Sequence, residues 1–194
     1  DHVIVSPIES VKIAFEVKSN LGSTEIAKIY KEAQNLKDSS NLPDSLCPKV
    51  VGFSYTCANI KLTYYDFVNS FLSNSHYPTM VAILNIGILA FIDEHNSFSK
   101  TPDKSCTPVL LETGEDTLLV FTYLLTEFIS ESHVASAIRK YSNQFFTSMS
   151  YFAFEKTFLD AMKKMSAKMR VHFEGQLEIG INDTYDTLKK ELGL

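Results

Sequence analysis

Residues 11–18 read V-K-I-A-F-E-V-K, and this stretch decides how the rest of the chain is interpreted. Apolar and polar side chains alternate strictly along it, which is the period of two typical of a β-strand. The apolar face consists of Val11, Ile13, Phe15 and Val17. We therefore expect an interior strand of a sheet, with that whole face buried beneath helices.

The segments after this strand predict a βαβ unit. A helix is expected at 23–37, because Ser23 is a favourable N-cap and apolar residues recur at helical spacing after it. A second strand is predicted at 49–56. Since a helix rather than a tight turn joins the two strands, they should pair in parallel. An edge position for the first strand, or antiparallel pairing, would remove the structural basis of the nuclease interpretation given below.

The remaining pattern is a mixture of strands and then mostly helices. The predicted elements are a helix at 62–72, a tight hairpin or two short strands at 80–84 and 87–92, a short strand at 109–111, a long helix through residue 130, an extension of that helix or a second helix at 132–146, and helices at 152–173 and 183–192. The prediction is thus an α/β fold, a three-layer sandwich with a central mixed sheet and a helical C-terminal part. Residues 1–148 are expected to form the core, and residues 149–194 a helical segment packed on it.

Composition and charge exclude several classes of protein. Hydrophobic residues make up 45% and charged residues 21%, as in ordinary globular proteins. The net charge of −5 argues against a broad basic face for nucleic acid but leaves room for a local patch. No apolar run reaches the roughly 20 residues of a membrane span, so no membrane partner is expected. Three cysteines without paired spacing predict reduced thiols and a cytoplasmic location.

Glu16 and Lys18 are the candidate catalytic residues. Positions i and i+2 of a strand lie on one face, about 6.5–7 Å apart, so both groups can reach one reaction centre. A carboxylate can bind Mg²⁺, and an ammonium group can orient a water molecule or offset charge on a phosphoryl group. The alternative is a Glu–Lys pair on a half-exposed strand, which contributes little to stability.

The wider context of this pair, residues 7–21, reads P-I-E-S-V-K-I-A-F-E-V-K-S-N-L. It resembles the E-V-K-S strand of the PD-(D/E)xK nuclease superfamily, and looks most like an uncharacterised bacterial family in which P-x-E-S-V leads into I-E-V-K-S. The resemblance implies a restriction-endonuclease-like fold, with Glu16 and Lys18 catalytic, Mg²⁺ as cofactor and nucleic acid as substrate. A role in bacterial defence would be consistent with it. An acid from a preceding strand normally completes the metal site, and Asp1 and Glu9 are the candidates.

The tail resembles the opening helices of the same family. Residues 149–151 read M-S-Y, like a translation start, and residues 172–175 read H-F-E-G. Because such helices ordinarily precede the E-V-K strand, one interpretation is a fragment or re-ordered chain, in which Glu174 or Glu178 approaches Glu16. The alternative is an ordinary C-terminal helical extension. The expected metal ligands are Glu16, Glu9 and Glu178.

Two functions from different classes remain open at this point. The first is a Mg²⁺-dependent nuclease that hydrolyses phosphodiester bonds. The second is a catalytically incomplete module of the same fold that acts through protein contacts. The helix at 118–129 is apolar around most of its circumference, so either the tail helices or a second subunit should cover it. A homodimer through this helix is the partner that this pattern suggests.

Overall fold

The computed structural model describes residues 11–40, 42–43, 47–95, 97–129 and 151–153. The strands are β1 (Ile13–Lys18), β2 (Lys49–Ser54), β3 (Met80–Ile83), β4 (Gly87–Ile92), β5 (Thr107–Glu112) and β6 (Tyr151–Phe152). The helices are α1 (Ser23–Ser40), α2 (Ile60–Ser73) and α3 (Thr117–Ile129), the last preceded by a short 3-10 turn at Gly114–Asp116. The described strands form one sheet in the order β1-β2-β3-β4-β5-β6.

The sheet is mixed, and the chain has the α/β architecture that the sequence predicts. β1, β2 and β3 run parallel to one another, with Glu16 opposite Gly52 in the register of the first pair. The predicted parallel βαβ unit is therefore confirmed. β3, β4 and β5 are antiparallel neighbours, which confirms the predicted hairpin. Its turn passes through Asn85, whose φ of 58° lies in the left-handed region that asparagine tolerates better than most residues.

Helices cover both faces of the sheet and make three layers. On one face α1 and α2 pack over a core that includes Ile29, Tyr30, Phe67 and Phe91. On the other face α3 packs its buried side against β3 and β4. All residues of β3 and β4 are buried, because helices cover these strands from both sides. No helix within the described ranges has the length and apolar character that crossing a membrane requires.

β1 does not have the interior position that its sequence predicts. It lies at the edge of the described sheet and pairs with β2 alone among the described strands. Phe15 is 50% exposed and Val17 is 55% exposed, so the prediction that they are buried beneath helices is wrong. A helix is about 10 Å wide and spans about two strands at a spacing of about 4.8 Å. Because α3 lies over β3 and β4, it leaves that side of β1 uncovered.

α3 is only partly covered by the sheet. Phe121 and Phe128 are buried against it, whereas Leu118 and Leu119 are more than half exposed. The described residues thus leave an apolar flank on this helix, as its sequence predicts. The tail helices that are expected to cover this flank lie outside the described residues.

The end of the described chain joins the sheet as a strand. Tyr151–Phe152 forms β6 against β5, so the helix predicted from residue 152 does not begin there. Two residues carry too weak a local pattern to reveal a strand that exists only through pairing with β5. The predicted helices at 132–146 and 183–192, and the remainder of the one at 152–173, lie outside the described residues. So do four acids considered for the metal site, Asp1, Glu9, Glu174 and Glu178.

Two glycines mark close approaches that the fold requires. A Cβ at residue 87 would lie 2.3 Å from the backbone oxygen of Leu111, which β5 holds in place. A Cβ at residue 52 would lie 2.9 Å from Ile29 Cδ1 and from Val81 Cγ1, which are ends of flexible side chains. We expect Gly52→Ala to lower the free energy of unfolding by about 1–3 kcal/mol, and Gly87→Ala to lower it more.

Urea denaturation of the two variants measures this difference. Gly22→Ala is the control, because its nearest atom, Glu25 Oε2, lies at 3.3 Å and can move. We expect it to have the smallest effect of the three. A Gly87→Ala variant as stable as Gly52→Ala would contradict the close approach of β4 and β5.

Candidate functional site

Glu16 and Lys18 lie side by side on one face of β1, as the strand period predicts. Lys18 Nζ donates to Glu16 Oε1 in an ion pair. The register places Glu16 opposite Gly52 and Lys18 opposite Ser54. Since Ile29 of α1 contacts the sheet at Gly52, the pair lies on the face that α1 covers. Both side chains remain 20–30% exposed, so solvent and a ligand can reach them.

Backbone hydrogen bonds hold the pair in a fixed position on β2. The N–H of Lys49 donates to the oxygen of Lys12 at 3.0 Å, before the pair. The N–H of Tyr55 donates to the oxygen of Lys18 at 3.2 Å, directly after it. The bridge between Leu21 and Cys57 extends the parallel pairing beyond the named strands. The orientation of Glu16 and Lys18 is therefore set by the backbone on both sides.

The ion pair keeps capacity for further contacts. An ammonium group has three donors and a carboxylate has about four acceptor positions, of which this contact uses one each. The neighbouring Ser54 hydroxyl donates to the oxygen of Thr56 at 2.9 Å and is thus engaged elsewhere. Glu16 can therefore still bind a cation while Lys18 contacts an anionic group.

The described residues supply only a part of the expected magnesium site. Among them, no group of three or more His, Cys, Asp or Glu side chains is placed to hold a metal ion. Glu16 provides one carboxylate, and the other expected ligands, Glu9 and Glu178, lie outside the described residues. The described residues alone therefore do not form a complete Mg²⁺ site.

A cavity of about 270 Å³ lies at the opposite end of β2, and neither Glu16 nor Lys18 lines it. The cavity is thus not part of the candidate catalytic pair. Lys37, Lys49 and Lys100 line the cavity. Sequence reasoning missed this cluster, because the three lysines come from distant segments that meet only in the folded sheet.

The electrostatics of this cavity disfavour a charge on Lys49. Burial lowers the pKa of the Lys49 ammonium, and the nearby positive charge of Lys100 lowers it further. The cavity also contains the carboxylate of Asp103. Hydrogen bonds from the hydroxyl and N–H of Ser105 lower the pKa of Asp103, so it stays ionised. The cavity is therefore lined by three lysines and by one acid, Asp103, which already accepts hydrogen bonds from Ser105.

An exposed apolar surface lies on the α3 side of β1. We call it the apolar edge face, and its exposed members are Phe15, Val17, Tyr55 and Leu118. Its floor is formed by Phe53 and Phe121, whose ring centroids are 5.6 Å apart. The Phe15 ring lies 6.5 Å from that of Phe121, so helix and strand form one surface. Contiguous exposed apolar surface of this kind often marks a contact with another polypeptide.

Comparisons of the chain with protein-family models, with curated proteins and with solved structures give no match. The likeness to PD-(D/E)xK nucleases therefore depends on the E-V-K-S stretch and its surroundings alone. Glu16 and Lys18 remain candidates on the strength of their chemistry and their common face.

Proposed function

We propose that this chain carries a PD-(D/E)xK-type site that hydrolyses phosphodiester bonds in nucleic acid with Mg²⁺. The observation that carries the proposal is the Glu16–Lys18 pair, which shares one partly exposed face at the carboxyl end of β1. The mixed sheet with helices on both faces is consistent with a restriction-endonuclease-like fold. Because β1 is an edge strand of the described sheet, the structural basis expected from an interior strand is missing, and the proposal rests on the chemistry of the Glu16–Lys18 pair.

The two side chains would have complementary roles. In hydrolysis, a water oxygen bonds to phosphorus and gives a proton to solvent, while the ester oxygen leaves with the electrons of the broken bond and takes a proton from solvent. The Lys18 ammonium would offset the negative charge that grows on the phosphoryl oxygens and orient the attacking water. Glu16 would position Lys18 and provide a ligand to Mg²⁺. A bound Mg²⁺ would supply further charge neutralisation and a more acidic water.

The open edge of β1 is compatible with a further contribution from the chain. An edge strand presents backbone donors and acceptors that can pair with another strand. Residues 1–12 precede β1 and include Asp1 and Glu9. The proposal expects Glu9 or Asp1, together with Glu178 or Glu174, as the further metal ligands, and all four lie outside the described residues.

Cleavage by point variants tests the proposal. We expect Mg²⁺-dependent cleavage of single- or double-stranded DNA or RNA by the purified chain. Glu16→Gln and Lys18→Ala should each lower the rate by about 10²–10³, the loss typical of one transition-state interaction. Both should change the free energy of unfolding by less than about 1 kcal/mol, since the pair is partly exposed.

A second ion pair of the chain provides the matched control. Lys28 Nζ lies 3.7 Å from Glu25 Oε1 on α1, also partly exposed. We expect Glu25→Gln and Lys28→Ala to cleave like the parent. Undiminished cleavage by folded Glu16→Gln and Lys18→Ala, or a parent chain that cleaves none of the four substrates with Mg²⁺, would contradict the proposal.

A second candidate function is favoured by the apolar edge face. In it, the chain is a catalytically incomplete module of the same fold and acts through protein contacts. Phe15 and Val17, which are at least half exposed, carry this candidate, because burying the exposed half of each side chain would contribute about 0.8–1.5 kcal/mol to an association. The partner we propose is a second copy of the chain.

Light scattering tests this candidate. We expect a mass twice the 21.8 kDa of the chain at micromolar concentration, and 21.8 kDa for Val17→Asp. Ala27→Glu, on the exposed side of α1 and remote from the apolar edge face, should keep the doubled mass. A parent chain that stays monomeric up to high micromolar concentration would exclude the homodimer.

A further inference from the structure

The cavity at the amino end of β2 is formed by four separate segments. They are the second half of α1, residues 47–50, residues 75–79 before β3, and residues 100–103 of the loop between β4 and β5. Its volume of about 270 Å³ is just below the usual range of small-molecule sites, about 300–1,000 Å³. The cavity therefore has room for a small molecule.

The charges around this cavity are opposite to the charge of the whole chain. Lys37, Lys49 and Lys100 line it together with a single acid, Asp103, whereas the chain has a net charge of −5. Neither Lys49 nor Lys100 forms an ion pair with any residue of the described part. Lys37 Nζ donates to the oxygen of Leu42 at 2.7 Å and is thereby tethered beside the cavity.

The positions of Lys49 and Lys100 carry an electrostatic cost that a bound anion would remove. Burial and the charge of Lys100 both lower the pKa of Lys49, so its charged form is disfavoured in the folded chain. An anion in the cavity would replace lost hydration by charge-assisted hydrogen bonds and offset the repulsion between the two ammonium groups. Asp103 stays ionised because Ser105 donates two hydrogen bonds to it, so one negative charge opposes an anion in a cavity that three lysines line.

Neutral groups complete a surface suited to a phosphate with an organic substituent. Thr79 and Thr101 line the cavity and offer hydroxyl donors, with Thr79 only 3% exposed, whereas the Ser75 hydroxyl already donates to Gln34 Oε1 at 3.3 Å. The Tyr77 ring forms an apolar wall, fixed by the Phe71 ring with centroids 4.9 Å apart. Phosphate oxygens can thus contact the lysines and hydroxyls while a carbon skeleton packs on the ring.

We propose that this cavity binds a small phosphate monoester, with Lys49 and Lys100 contacting the phosphate. It is distinct from the Glu16–Lys18 pair, which does not line it: at 3.3 Å per residue, Glu16 lies opposite Gly52, about 10 Å along β2 from Lys49, and Lys18 lies opposite Ser54, about 17 Å from Lys49. The site therefore does not depend on the nuclease proposal.

Isothermal titration of the whole chain at low salt tests the site. The probes are ribose 5-phosphate, inorganic phosphate and ribose. We expect ribose 5-phosphate to bind most tightly, inorganic phosphate more weakly, and ribose not to bind. Equal binding of ribose and ribose 5-phosphate, or no binding of either phosphate compound at millimolar concentration, would overturn the proposal. Inorganic phosphate binding as tightly as the ester would overturn its monoester part.

Point variants assign the binding to the cavity. We expect Lys49→Met and Lys100→Gln to weaken ribose 5-phosphate binding at least about tenfold, since each removes one charge-assisted contact. Lys104→Gln is the control, because Lys104 is an exposed lysine that does not line the cavity, and it should bind within twofold of the parent.

The stability of the same variants distinguishes a binding role from a structural one. Lys49→Met keeps the apolar stem and removes the disfavoured charge, so its urea midpoint should equal or exceed that of the parent. A lower midpoint for Lys49→Met, or parent-like binding by both cavity variants, would overturn the proposal. Cleavage of nucleic acid by these variants should be unchanged, so failure here is separable from failure of the nuclease proposal.

Discussion

The structure depends on the close contact between α1 and the sheet at Gly52. Ile29 Cδ1 lies only 2.9 Å from where a Cβ of residue 52 would be, so a side chain there would force the Ile29 side chain to shift. The contact holds α1, the helix that connects β1 to β2, against one face of β2. The two strands can therefore pair in parallel. Since Glu16 is opposite Gly52, the same contact places Glu16 on the α1 face of the outermost described strand.

The helices cover the two faces of the sheet unequally, and this explains the exposed surfaces on β1 and α3. Two helices pack over one face, whereas α3 alone packs over the other in the described residues. β3 and β4 consequently form the core, buried on both sides. β1 keeps the partly exposed Glu16–Lys18 pair on one face and the half-exposed Phe15 and Val17 on the other. The candidate chemistry and the candidate contact surface are therefore two faces of one strand.

The elements with strong local patterns could be predicted from the sequence. The alternation in residues 11–18 revealed β1, and the helix after it required parallel pairing with β2. The burial of Phe15 and Val17 could not be predicted in the same way. Alternation shows that the two faces of a strand differ, but the cover of each face depends on where distant helices pack. β6 escaped prediction because its two residues become a strand only by pairing with β5.

The candidate site could be predicted only as far as it is local. Glu16 and Lys18 share a face because they are two positions apart on a strand, and side chains at this spacing share a face in any strand. The cavity lined by Lys37, Lys49 and Lys100 depends on four segments that meet at the amino end of β2. No local sequence pattern predicts it. The roles of Glu9 and Glu178 as metal ligands stay predictions.

Binding of a paramagnetic ion to the isotope-labelled chain tests the central claim most directly. Mn²⁺ takes the same oxygen ligands as Mg²⁺ and broadens the amide signals of nearby residues. We expect the signals of Glu16, Val17 and Lys18 to broaden first, and Glu16→Gln but not Glu25→Gln to abolish the effect. Broadening that begins at other acids and persists in Glu16→Gln would contradict the assignment of a metal site to β1.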